Sequence, residues 1–311
     1  MEKALKIIAG SANKPLAEKI ARYCGVHLTE CEVSRFSDGE VKVQINENVR
    51  GSDLVIIQPT HPPAENLLEL LILLDASRRA SAMRITAVIP YYGYARQDRK
   101  DQPRVAITAK LLSNLITSAG ANRIITMDLH ASQLQGFFDI PHDHLYASQI
   151  FYDYFRAKVV EDIVAVSGDV GSIKMARAFA KKLKCGLAII DKRRPEDNQA
   201  EVMNIIGDVK GKNVVLRDDL VDTGGTLVKG ALALKEHGAL DIYCCVTHGV
   251  LSGEAIELIE NSTITEMVIT DTIYRGETKL PPKFTVLSTA EMWGETIRRI
   301  WHEESVSKLF D

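Results

Sequence analysis

No stretch of this chain is apolar for long enough to cross a bilayer. The greasiest segment, residues 67–74, is interrupted by Glu69, whereas a spanning helix needs about 20 apolar residues. It reads as a buried amphipathic helix. Residues 1–21 lack the uninterrupted apolar core of a secretory signal. The cysteines (Cys24, Cys31, Cys185, Cys244 and Cys245) form no Cys-x-x-Cys pair, and their odd number fits no closed disulfide framework. These absences predict a cytoplasmic protein with reduced thiols. A strong charge imbalance is missing too. The 38 basic and 41 acidic residues leave a net charge of -3, which asks for neither nucleic acid nor a membrane as partner. Low-complexity tracts, a GxxxxGKS/T loop and a GxGxxG dinucleotide fingerprint are all absent.

What is present is length and regular alternation. At 311 residues and 46% hydrophobic content, the chain exceeds one typical domain and has ample material for two cores. Short β-branched runs predict strands at 5–10, 53–59, 85–91, 123–128, 163–169, 186–191, 213–219, 241–249 and 266–271. Helical spacing lies between many of them, at 66–83, 106–119, 174–183 and 253–260. Apolar strands alternating with helices predict an α/β fold of mainly parallel sheets flanked by helices. So many strands suit two sheets better than one, with a seam near the polar stretch 141–148.

Ligands of open parallel sheets sit beyond the C-terminal strand ends, and the segments there are rich in chemistry. Residues 214–226 read VVLRDDLVDTGGT: strand, acidic pair, Gly-rich turn, then a helical run. Glycines let the backbone approach a ligand, and free N–H groups at a helix start favour phosphate. The pair Asp218 and Asp219 repels phosphate and suits hydroxyl groups or a metal. The blander reading is a plain connection with an Asp N-cap. Asp128 and His130 lie two apart at a strand end, so in an extended chain both reach one metal or phosphate; an N-cap and a structural His is the alternative. Asp169, beside Gly168 and Gly171, ends another strand. Mg²⁺ takes few protein ligands, so His130 plus Asp169 would suffice, although imidazole is unusual for so hard an ion. Lys192-Arg193-Arg194-Pro195 is a solvated turn or a cationic lid over transferring phosphates. Arg96, Arg99, Lys100 and Arg104 suit a nucleotide's phosphates or a salt-bridged surface. Phe36, between Arg35 and Glu40, is either core or a stacking platform for a purine.

Taken together, DLHASQLQGFFDIP (128–141), RFSDGE (35–40), YARQD (94–98), DKRRP (191–195) and DDLVDTGGT (218–226) closely resemble the ribose-phosphate pyrophosphokinase family, in the family's order and over nearly the whole chain. The resemblance implies two tandem domains of type I phosphoribosyltransferase-like fold with the active site in their cleft. Residues 1–146 would form an N-terminal ATP-binding and oligomerisation domain. Residues 147–311 would bind ribose 5-phosphate, with roughly the last 15 residues packing back on the first domain.

By the same resemblance, Asp222, Thr223, Gly224, Gly225 and Thr226 hold the 5-phosphate while Asp218 and Asp219 face the ribose hydroxyls. Lys192 and Arg194 are catalytic, Arg194 also touching the sugar phosphate. His130 and Asp169 hold Mg²⁺. Arg96 and Gln97 bind ATP, joined by Phe36, Asp38, Gly39 and Glu40 from a neighbouring subunit of a homohexamer built from dimers. Phosphate activation and ADP inhibition are implied through Arg50, Ser81, Ser132, Asp143, Ser305, Ser307 and Phe310. The chain departs from the family pattern at Gly168, Ser172, Asn48, His144 and Arg217; Arg217 stands where an apolar residue is usual. In an extended strand Arg217 would share a face with Asp219. A phosphoribosyltransferase shares the DDxxDTGGT loop but needs neither DLHASQ nor the lid. A non-catalytic regulator on this fold tends to lose the lid cations or metal ligands, and both are present.

Overall fold

The computed structural model describes residues 4–158, 160–169, 171–193, 202–276 and 278–309. They form two compact units. One comprises Met1–Tyr146, Thr272–Tyr274 and Ser288–Asp311; the other comprises Ala147–Asp271 and Arg275–Leu287.

The first unit opens with β1 (Leu5–Ala9) and α1 (Lys14–Tyr23), followed by a hairpin of β2 (Cys31–Arg35) and β3 (Val41–Ile45). Then come β4 (Asp53–Ile57), α2 (Glu65–Arg79), β5 (Arg84–Ile89), α3 (Thr108–Ala119), β6 (Arg123–Met127) and β7 (His142–Leu145). Its main sheet runs β1-β4-β5-β6-β7, all parallel. Every residue of β4 is buried, as expected of a central strand covered on both faces. α1 starts where the Asn13 side chain accepts the Leu16 N–H at 3.2 Å and Pro15 occupies the first turn.

Glu69 explains its own interruption of an apolar helix. It is buried on α2, and its carboxylate accepts from Ser11 N (2.5 Å), Ser11 Oγ (2.6 Å) and Gln58 Nε2 (3.0 Å). Gln58 in turn accepts the Ala12 N–H at 3.1 Å. The helix thereby fixes the loop leaving β1. Glu69→Ala strands these donors and is expected to cost about 2–4 kcal/mol, read as a lower urea midpoint at unchanged m-value.

The second unit holds α4 (Ser148–Lys158), β8 (Ile163–Ser167), α5 (Ile173–Leu183), β9 (Gly186–Arg193), β10 (Val202–Ile206) and β11 (Asn213–Val221). It continues through α6 (Gly225–Glu236), β12 (Ile242–Gly249), α7 (Ala255–Glu260), β13 (Glu266–Thr270) and β14 (Phe284–Leu287). The sheet order is β10-β9-β8-β11-β12-β13-β14, parallel except for the β9–β10 pair. Val214, Leu216, Cys244 and Val246 face one core, which includes Leu227, Ala231 and Leu234 of α6. The opposite face meets α4 and α5, where Phe155 makes edge contacts with Phe179 (6.2 Å) and Tyr243 (5.7 Å).

The last α-helix among the described residues, α8 (Ala290–Trp301), belongs to the first unit and packs on α1. Gly294 permits the close approach: a Cβ there would lie 2.5 Å from Tyr23 Cδ1. The buried Trp293 donates its indole N–H to Thr289 Oγ1 at 2.9 Å.

Several elements differ from the sequence expectation. β2 and β3 are half-buried ribbons with polar alternation, and β7 is a polar edge strand inside the stretch read as a seam. Lys192 and Arg193, expected to lie in a turn after the strand, continue β9 and pair with β10, Lys192 opposite Met203. The remainder of that expected lid, Arg194 and Pro195 included, lies outside the described residues. Cys24, Cys31, Cys185, Cys244 and Cys245 are all free thiols.

Candidate active site

In the second unit, β8, β11 and β12 are parallel neighbours, so the segments leaving β8 and β11 emerge side by side. An added Cβ at Gly168 would lie 3.3 Å from Asp218 Oδ2. Asp218 therefore lies directly against the loop that carries Asp169. That loop is tied down locally: Asp169 Oδ1 accepts the Ser172 N–H at 2.8 Å, and Ser172 Oγ lies 2.8 Å from Ser167 Oγ. Ser172 thus braces the Asp169 turn with its hydroxyl.

The acidic pair sits within β11, which runs on to Val221. Asp218 Oδ1 accepts the Asp219 N–H at 2.9 Å. Burial raises the Asp218 carboxyl from the usual range to about 8, reinforced by the Asp219 charge, a hydrogen bond with Asp219, and the Asp169 charge. Such crowding of carboxylates is unfavourable by itself and suits a site that meets hydroxyl donors or a divalent cation.

Asp222, Thr223 and Gly224 make the turn into α6. Leu251 N–H bonds to Val221 O (3.0 Å) and Ser252 N–H to Asp222 O (2.9 Å), fixing the turn against the segment after β12. Gly224 has φ +78° and precedes the first residue of α6. Its position is left-handed, and a Cβ there would meet Ile259 at 3.4 Å. Gly225 opens the helix with empty space around its missing side chain, and Thr223 and Thr226 are exposed. Exposed N–H groups at a helix start aim at an anion. Gly224→Ala is expected to cost about 1–2 kcal/mol in chemical denaturation and to raise KM for the sugar phosphate severalfold. Lys192 lies three residues beyond the last β9–β8 pair, Ile189 with Ser167, so the backbone of β9 runs past the same sheet edge.

In the first unit, Arg96 and Gln97 lie exposed in the loop after β5, as do Arg99, Lys100 and Arg104. Gln97 Oε1 accepts from Thr108 Oγ1 at 2.5 Å. Asp98 Oδ2 accepts from Gln133 Nε2 at 2.9 Å, which joins this loop to the one holding His130. His130 is exposed and Asp128 buried. Asp128 has φ +37°, so the chain is not extended there, and the argument that both side chains share one side does not apply. Phe36 is 53% exposed rather than core. It lies in the β2–β3 turn with Asp38, Gly39 and Glu40. Arg35 Nη1 donates to Gly39 O (3.0 Å), and Asp38 Oδ1 accepts the Glu40 N–H (3.0 Å).

The residues assigned to regulation do not form one group in a single chain. Arg50 and Ser81 precede β4 and β5, and the Gly51 N–H bonds to Ser81 O at 2.9 Å. Asp143 pairs with Arg123 at the start of β6. All three lie at the N-terminal sheet edge, whereas Ser132 follows β6 at the other. Ser305 and Ser307 share a 2.7 Å hydroxyl contact after α8. Phe310 is outside the described residues. The braces at Ser11–Gln58–Glu69 and Ser167–Ser172 were not anticipated. A carboxylate inside an apolar helix was the available signal for the first; nothing in spacing flags the second.

A family model described as the N-terminal domain of ribose phosphate pyrophosphokinase matches residues 5–120, and a phosphoribosyl synthetase-associated domain matches residues 194–311. The chain belongs to the ribose-phosphate pyrophosphokinase family. It is 56% identical to a ribose-phosphate pyrophosphokinase of Chlorobaculum tepidum, covering 100% of this chain and 96% of that one. It is also 56% identical to one of Thermotoga maritima, covering 98% of each. The crystal structure of phosphoribosylpyrophosphate synthetase from Mycobacterium smegmatis is similar with a TM-score of 0.92 and 40% identity, over 97% of this chain and 100% of that one. The family match agrees with the α/β architecture and with the order of motifs along the chain. No helix among the described residues is long and apolar enough to cross a membrane.

Proposed function

We infer that this chain transfers the pyrophosphoryl group of ATP to the C1 hydroxyl of ribose 5-phosphate, giving 5-phosphoribosyl 1-pyrophosphate and AMP. The observation that carries the reading is the end of β11: an acidic pair for hydroxyls, followed at once by a left-handed Gly224 opening α6 for a phosphate. Asp222 to Thr226 take the 5-phosphate, and Asp218 and Asp219 take the ribose hydroxyls. The two groups of the sugar thus meet donors and acceptors of the right sign on consecutive turns of one chain segment.

The C1 oxygen bonds to the β-phosphorus as the bond to the α-phosphate oxygen breaks and AMP departs. This chemistry depends on positioning and on charge neutralisation rather than on covalent catalysis. Lys192 and Arg194 supply cations to the transferring phosphates. Arg96 and Gln97 bind ATP with Phe36, Asp38, Gly39 and Glu40 of a neighbouring subunit; an exposed ring in a hairpin turn suits stacking on a purine.

Enzymes of this family generally use Mg²⁺. Among the described residues no group of three or more His, Cys, Asp or Glu side chains could hold a metal. A cation that keeps its waters and leans on substrate phosphates fits that sparse donor set. Asp169 offers a carboxylate, and His130 an exposed imidazole. When bound, the ion would neutralise charge on the phosphates. We read the first unit as the ATP-binding and oligomerising part of a homohexamer built from dimers, with phosphate activating and ADP inhibiting. Regulatory residues spread over opposite sheet edges of one chain support a site assembled from several copies. Incubation with ATP, Mg²⁺, phosphate and ribose 5-phosphate should release AMP only when the sugar is present; no AMP at any phosphate concentration would favour a regulatory role instead.

A further inference from the structure

Arg217 is the only Lys or Arg among the described residues that is fully buried, and its bulk there is exceeded only by Trp293. In β11 it lies opposite Ser167 of β8 and Cys245 of β12. Strand alternation sends Leu216 into the α6 core and Arg217 to the α4 side. There its guanidinium carbon sits 4.6 Å from the ring centre of Phe151. Nη2 donates to Thr247 Oγ1 at 2.9 Å and Nη1 to Cys245 O at 3.4 Å; Nη1 also donates to the carbonyl of Asp218. Thr247 is anchored in turn, its carbonyl accepting Thr270 Oγ1 at 2.7 Å.

Stability does not account for this residue. Taking a cation out of water is costly, and apolar residues of similar volume in such positions are often neutral or stabilising. Its guanidinium lies on the Phe151 ring, a setting in which an apolar side chain would avoid that desolvation cost. The guanidinium instead makes a planar, directed set of bonds. One is to the peptide carbonyl of Asp218, joining the two acidic residues; another is to β12 through Thr247. It clamps the peptide from which both carboxylates leave the strand. We propose that Arg217 is a positioning residue of the ribose 5-phosphate site: by holding the Asp218 carbonyl against β12, it fixes the aim of Asp218 and Asp219 at the ribose hydroxyls. The inference rests on the reading that these carboxylates meet the sugar.

Steady-state kinetics of the full chain, with thermal unfolding alongside, test it. Arg217→Met is expected to raise KM for ribose 5-phosphate about tenfold while KM for ATP moves less than about twofold, with an unchanged or higher Tm. Thr247→Val, which removes one anchor of the clamp, should raise the same KM by about threefold. Arg217→Lys should recover part of the loss, because it returns the charge without the planar fork. A wild-type KM for ribose 5-phosphate in Arg217→Met overturns the inference, as do equal rises in both KM values with a lower Tm, the mark of a purely structural role. Should Arg217→Met not fold, Thr247→Val and Arg217→Lys carry the same test; wild-type KM in both overturns it. Asp219→Asn separates the two layers of argument. If that variant keeps a wild-type KM for the sugar, the site reading itself fails. If it raises KM while Arg217→Met does not, only the positioning role falls.

Discussion

Lys192→Ala lowers kcat by roughly 10²–10³-fold and leaves KM for ATP within about threefold of wild type. The asymmetry follows from where charge appears. On the proposed reading, other groups already meet the phosphates of ATP in the ground state. As the C1 oxygen closes on the β-phosphorus, negative charge redistributes over the transferring oxygens and the departing AMP. A cation placed for that moment acts on the transition state more than on the bound nucleotide, so its removal shows in turnover. Lys192 sits on β9 past the end of the β8 pairing, a position on regular structure rather than on a free loop. Steady-state kinetics with ATP and ribose 5-phosphate each varied check the split. An unchanged kcat, or a loss confined to KM for ATP, removes Lys192 from the chemistry.

Asp218→Asn stabilises the substrate-free protein at alkaline pH while impairing its use of the sugar. Burial and the neighbouring charges of Asp219 and Asp169 raise the Asp218 carboxyl to about 8. The folded protein therefore keeps a proton that the unfolded chain releases near pH 4. Stability associated with the protonated form is fully present below that point and is lost as pH rises through about 8. Asparagine is neutral throughout and can still accept the Asp219 N–H. The gain in Tm of the variant over wild type should thus be small at pH 4.5 and grow steadily with pH to its largest value above about pH 8. KM for ribose 5-phosphate should rise at least about tenfold, since a ribose hydroxyl loses a charged acceptor. Calorimetry at the two pH values checks the first part. A Tm difference that does not grow with pH would show that the carboxylates are not strained against one another.

The contrast between these variants explains what could be read from the sequence. Apolar runs such as 54–57 follow from composition, because a central parallel strand is buried on both faces. The Gly-rich turn was legible for a similar reason: Asp-Thr-Gly-Gly-Thr before an apolar helix asks for a left-handed glycine at a helix start, and Gly224 meets that at φ +78°. β7 was not legible, since His142-Asp143-His144-Leu145 is an edge strand of mostly polar residues that looks like a linker. Nor was the pairing of Lys192 with Met203, because charge clusters read as turns until a partner strand is known. The same-side argument for Asp128 and His130 assumed an extended chain, and one residue at φ +37° breaks it. Arg217 was conspicuous as a charge in a strand. That its guanidinium lies on Phe151 and reaches Thr247 depends on packing between β11, β12 and α4, which no local pattern records.

The most direct measurement of the account is ³¹P NMR of the products formed from ATP and ribose 5-phosphate. Transfer of the intact pyrophosphoryl group predicts AMP together with coupled α- and β-phosphorus signals of a pyrophosphate attached to C1 of the ribose. ADP accompanied by a single phosphate at C1 would contradict it, as would free pyrophosphate with the sugar unmodified.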